Sequence, residues 1–184
     1  HDKSEHKEKI AAENNQETFG NLSSLLKCFE VAKKDQSDLI YFVEDDYLHY
    51  EHSLVDMLNT YERVSSQHKD EIIVCPSDYP FNYMNNEKTN ILIGSQQHWR
   101  TITKMLCTFM ISKKMFQKHI DNFEKTCEKR HEPFEKYLNK ILESEIGISP
   151  IKSLAIHMTN VNSSYGLSPF IDLKKLWEEN KIDQ

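Results

Sequence analysis

Leu39-Ile40-Tyr41-Phe42-Val43-Glu44-Asp45-Asp46-Tyr47 is the stretch that decides the fold. Five apolar or aromatic residues lead directly into three carboxylates. The run has strand length, β-branched and aromatic side chains and no polar alternation, which is how a strand covered on both faces of a sheet reads. Three adjacent acids cannot follow it into that core, because desolvating each unpaired charge costs several kcal/mol. They belong at the carboxyl end of the strand, the edge of an open α/β sheet at which ligands bind. Clustered carboxylate oxygens suit a hard divalent cation, Mg2+ or Mn2+. The plain alternative is a solvated acidic turn.

Upstream of this stretch, Leu22, Leu25, Leu26, Phe29 and Ala32 recur at helical spacing. They predict an amphipathic helix that Asn21 or Ser23 can cap and that ends near Lys33-Lys34. Downstream, Leu54, Met57, Leu58, Tyr61 and Val64 mark a second helix, and Ile72-Ile73-Val74-Cys75 a short strand closed by Pro76-Ser77-Asp78-Tyr79-Pro80. Strands are expected over 89–93, 96–103 and 105–111, the last two as separate strands or one long bent one. Ser112 caps a helix to about Lys129, and residues 132–142 form another that Ser149-Pro150 breaks. A strand over 151–157 follows, then a polar loop over 160–169 and a last helix capped by Asp172. This order predicts one α/β domain over 1–184, with a mixed, partly parallel sheet flanked by helices. Residues 160–184 are its C-terminal loop and helix.

Composition excludes several functions. The chain of 184 residues carries a formal net charge of -6, which gives no general electrostatic support for nucleic-acid binding. No apolar run approaches the roughly 20 residues of a membrane helix, and no signal peptide is visible. The four cysteines form no C-x-x-C pair, and Cys28, Cys75 and Cys107 sit in apolar segments. Buried free thiols in a reducing, cytoplasmic compartment are expected.

The segment Asp38 to Asp46 resembles the D-x-D signature of nucleotide-sugar-dependent glycosyltransferases with the GT-A fold, in its Glu-Asp-Asp variant. Phe19-Gly20-Asn21 and the helix after it resemble the loop and helix that precede the acidic strand in those enzymes. Pro76-Ser77-Asp78-Tyr79-Pro80, His98-Trp99-Arg100-Thr101, Thr108-Phe109 and Ser153-Leu154-Ala155-Ile156-His157 are similar to elements of a bacterial subgroup. The resemblance covers roughly residues 15 to 177 and lies in the order of the parts. It implies a GT-A-like, Rossmann-like sheet, and it implies further strands upstream of His1, since GT-A domains open on a βα unit absent from the first 38 residues. The implied activity is a hexosyltransferase-type transfer from a UDP- or GDP-linked sugar to a glycan or other hydroxyl acceptor. A non-catalytic binding or assembly domain of the same fold stands as an alternative. A metal-dependent sugar nucleotidyltransferase is another, although it calls for a Gly-rich phosphate loop that the chain lacks.

The same resemblance implies residue roles. Asp46 ligates the metal, His157 completes the site after a short strand, and Glu44 and Asp45 face the donor or orient the ligands. An imidazole among carboxylates tilts the ion from Mg2+ toward Mn2+. Transfer with inversion requires a base near the acceptor hydroxyl, for which Asp78, Glu132 and Glu135 are candidates. Glu132 is expected to open a helix, where the dipole favours a carboxylate. His98, Trp99 and Arg100 are candidate donor-binding residues, because arginine grips phosphate and tryptophan stacks on a sugar ring. The competing reading puts Trp99 in the core and pairs Arg100 locally.

Overall fold

The computed structural model describes residues 20–181, apart from 85, 130 and 163–165; Phe19 and the lead-in before it lie outside this range. Helix α1 (Gly20–Lys34) precedes β1 (Leu39–Phe42), β2 (Tyr47–His49), α2 (Ser53–His68) and β3 (Ile72–Val74). Strands β4 (Ile91–Ile93), β5 (His98–Ile102) and β6 (Phe109–Ser112) follow, then α3 (Lys113–Lys118), α4 (Ile120–Glu128) and α5 (Lys136–Ile141). The chain closes with β7 (Ile146–Pro150), β8 (Ala155–His157) and α6 (Leu173–Glu179). The architecture is α/β, and six strands form a mixed sheet in the order β1-β6-β3-β7-β5-β4. Strands β3 and β7 pair in parallel and the other neighbours are antiparallel. It follows that β1, β3 and β7 all point their carboxyl ends at one edge of the sheet, and β5 and β6 begin there.

Two cores explain why β1 lacks polar alternation. Phe42 packs with Phe29, Phe109, Phe116 and Phe123 under α1 and α4, and Ile40 lies against the same cluster. Leu39 and Tyr41 lie against the opposite cluster, which contains Met57, Val64 and Trp99 under α2. Both faces of β1 are therefore packed, as the apolar run implies. Its place in the sheet differs from a fully covered central strand. Among the described residues β1 is an edge strand, only Phe42 of its four residues is buried, and Val43 is 51% exposed.

Several local expectations are met by specific hydrogen bonds. Ser112 Oγ accepts from Met115 N and caps α3, and Asp172 Oδ1 accepts from Lys175 N and caps α6. Others are corrected. The helix expected to run from Ser112 to Lys129 breaks at His119 into α3 and α4. The segment 132–142 yields only α5, so Glu132 does not open a helix; Glu135 occupies the N-cap instead. The stretches 96–103 and 105–111 are two strands that are not even neighbours, since β6 lies between β1 and β3 and β5 between β7 and β4. Cys75, Cys107 and Cys127 are buried free thiols, whereas Cys28 is exposed. Among the described residues no helix is long and apolar enough to cross a membrane.

Candidate metal centre

The three acids lie where β1 leaves the sheet. The backbone N–H of Glu44 donates to Thr108 Oγ1 at 3.0 Å, which ties the turn to the start of β6. Strand β2 then pairs antiparallel with β8, setting Tyr47 opposite His157, and Met158 N donates to Asp46 O at 2.9 Å. This small ladder brings two residues 111 positions apart into contact: His157 Nε2 is 2.7 Å from Asp46 Oδ2. The Tyr47 ring stacks on the imidazole, with centroids 4.8 Å apart and planes 10° from parallel. The Tyr47 hydroxyl is held in turn by the Tyr79 hydroxyl at 2.8 Å.

Glu44 completes the cluster. Ligand atoms of Glu44, Asp46 and His157 all lie within 4.8 Å of one another. Two ligands of one small divalent ion stand at most about 4 Å apart, so modest side-chain rotation closes the set. Two carboxylates and an imidazole are a donor set that could hold a divalent cation, and the Asp46 side chain, 41% exposed, leaves the cluster open on one side. Electrostatics point the same way. Burial, then the charges of Asp46, Glu135 and Asp45, pushes the Glu44 carboxyl up to about 7. Anions crowded without a counter-charge are stabilised by a bound cation.

The sign of that shift gives a pH prediction. An unfolded glutamate titrates near ~4.3, so between there and about 7 the folded chain holds a proton that the unfolded chain has released. This group's contribution to stability therefore falls as pH rises through that window. A metal takes the carboxylate form and expels the proton, so affinity for Mn2+ is expected to weaken as pH drops below about 7. Calorimetric titration in buffers of different ionisation enthalpy counts the protons released. At about pH 6, Glu44→Gln should release about one fewer than the wild type; an unchanged count would remove Glu44 from the centre.

The other sequence candidates divide. Asp45 is exposed and lies outside the cluster. Glu135 is half-buried; burial holds its carboxyl above the ordinary range, against a backbone hydrogen bond and then the His157 charge, which both pull it down. Glu132 is exposed. Cys107 is buried near Glu44 and Glu135, and its thiol is pushed well above the usual value, which leaves it unreactive. His98 is exposed at the start of β5, on the same sheet edge but outside the cluster. Trp99 is fully buried in the α2-side core and offers no face to a sugar, which corrects its donor-binding assignment. Arg100 is 8% exposed and its guanidinium donates to Asp78 Oδ1, so it grips an internal carboxylate in place of a phosphate.

Asp78 is corrected as well. Its side chain is fully buried, and Oδ2 accepts from the Tyr83 hydroxyl at 2.6 Å and the Ser168 hydroxyl at 2.5 Å. A carboxylate engaged by three donors, one of them cationic, has no free oxygen with which to take a proton from a substrate. Tyr83 and Ser168 carry no sequence signal; they are read only from the folded chain.

A larger cleft lies at the opposite edge of the sheet, lined by Asp38, Leu58, Tyr61, Glu71, Ser112 and Lys113 among others. It gathers no set of metal-ligating groups among the described residues. No protein-family model, curated protein or solved structure matches the chain.

Proposed function

We propose that the chain is a metal-dependent glycosyltransferase of GT-A architecture that moves a sugar from a UDP- or GDP-linked donor to a hydroxyl acceptor. The observation that carries this reading is the convergence of Glu44, Asp46 and His157 beside the carboxyl end of β1. Ligands collect at that edge in α/β sheets, and the donor set suits the ion such a reaction uses. Asp46, His157 and Glu44 would hold Mn2+ or Mg2+. When bound, the ion supplies Lewis-acid stabilisation of the charge that grows on a leaving diphosphate, worth several kcal/mol.

Glu135 is the residue we assign to deprotonating the acceptor hydroxyl. It is half-buried, lies within electrostatic range of Glu44 and His157, and has a raised carboxyl affinity for protons, which moves a base toward its working pH. Glu132, exposed, lacks these properties. The hydrogen bond from Glu44 N to Thr108 and the β2–β8 ladder fix the acids before any ligand arrives, so little ordering remains to be done on binding.

A thermal-shift screen of UDP- and GDP-linked sugars, each with and without Mn2+, tests the reading. One donor is expected to raise the melting temperature by mass action only when the metal is present. If no nucleotide-sugar or free diphosphate nucleotide shifts it in either condition, the transferase reading fails and a non-catalytic domain takes its place.

A further inference from the structure

We propose that residues 167–171 form a carbohydrate-binding strap beside the candidate metal centre, with the Phe170 ring as the platform for the C–H face of a sugar. The choice of a sugar rests on the glycosyltransferase reading; the strap itself rests on geometry. Leu167, Ser168 and Ile171 line the same small cleft as His157, Asn160 and Ser77. Ser168 is 7% exposed, and its hydroxyl is tied to the buried Asp78 carboxylate. Four residues on, Asp172 N donates to the Tyr50 hydroxyl at 3.1 Å, and Asp172 caps α6. The strap is thus anchored at both ends.

Between those anchors Phe170 has φ +70°, a left-handed conformation that bulky side chains seldom adopt. The residue is 79% exposed, so the strained backbone is not compensated by burial of the aromatic side chain. Strain of this kind persists where the surroundings enforce it, and it concentrates at ligand-binding positions. An outward aromatic face beside polar groups is what a pyranose requires. Its C–H face packs on the ring while its hydroxyls reach polar groups; the cleft lined by the strap residues Leu167, Ser168 and Ile171 also holds the Asn160 amide. Asp78 acquires a part in this arrangement as a positioning residue, because the Arg100 and Tyr83 contacts hold it where Ser168 docks.

Backbone-amide NMR titration of the full chain with methyl β-D-glucopyranoside and methyl β-D-galactopyranoside, without metal, tests the strap. Shifts are expected to centre on residues 167–171 with at least one glycoside and to be absent with glycerol. Phe170→Ala should weaken that binding about fivefold or more, while Phe170→Tyr retains it. Ser168→Ala should weaken it too and speed amide exchange across the strap, a readout that loss of a single contact would not move. Absence of glycoside shifts in the wild type, or equal affinity in Phe170→Ala, overturns the proposal. So does binding of an apolar dye at Phe170 with no glycoside response, which would make the ring an apolar docking point. The metal-dependent nucleotide screen is read separately, so loss of donor binding with retained glycoside shifts sinks the transferase reading and leaves the strap standing.

Discussion

Asp46→Ala is expected, on the transferase proposal, to lower metal-dependent sugar transfer by about a thousandfold, and His157→Ala by a similar factor. A divalent ion stabilising a leaving diphosphate contributes several kcal/mol, and each ~1.4 kcal/mol is tenfold in rate. In the proposed centre, removing one of the three candidate ligands Glu44, Asp46 and His157 forfeits most of that contribution. The folded state should survive the first change well. The Asp46 side chain is 41% exposed, and its charge helps raise the Glu44 carboxyl, so its removal relieves a repulsion while losing the contact with His157. A melting temperature within a few degrees of wild type is therefore expected for Asp46→Ala. His157→Ala should cost more, because the imidazole also stacks on Tyr47 inside the β2–β8 pairing. Steady-state kinetics with and without added Mn2+, alongside calorimetric metal titration, reads both effects. Wild-type turnover and metal response in Asp46→Ala would sink the metal centre outright.

What the chain disclosed in advance follows from how local each signal is. The acidic end of β1 was legible because burying three carboxylates is prohibitive wherever the strand lies. The caps at Ser112 and Asp172 were legible because a side-chain oxygen three residues before a free N–H needs no tertiary partner. The edge position of β1 was not, since packing on both faces reads alike in a central and an edge strand. Strand β7 has no such local signal, because Ser149-Pro150 reads as a breaker. What makes it a strand is tertiary: parallel pairing with β3, antiparallel pairing with β5, and a bond from Ser149 Oγ to Ser77 O.

The trio His98-Trp99-Arg100 shows how a compact motif misleads. Successive strand residues face opposite sides of a sheet, so three neighbours cannot converge on one ligand. In β5, Trp99 enters the core beneath α2, while Arg100 turns to the other face and meets Asp78. The period of two was already implicit in expecting a strand there, and it would have separated the pair. For Glu44 the resemblance implies a part in facing the donor or orienting the ligands; the turn after β1 sets its carboxylate in one cluster with Asp46 and His157.

Arg100→Ala carries the largest expected cost in stability. It would strand the Asp78 carboxylate, whose side chain is fully buried, without its counter-charge. Breaking a buried pair from one side costs about 3–5 kcal/mol, because the remaining charge has lost its solvent and its partner together. For a chain of this size that corresponds to roughly 6–20 °C in melting temperature. The Tyr83 ring, which the guanidinium covers at 4.0 Å from its centroid, loses a contact as well. A cavity alone would also destabilise, so the ion pair has to be separated from packing. In the double variant Asp78→Leu with Arg100→Met, no unpaired charge is left, and an apolar pair of similar bulk can recover much of the loss. The double variant is therefore expected to melt above Arg100→Ala, by thermal unfolding followed with circular dichroism. A double variant that melts at or below Arg100→Ala would mean that the stranded charge is not what destabilises the single variant, and the internal pair would then explain neither the burial of Asp78 nor the docking of Ser168.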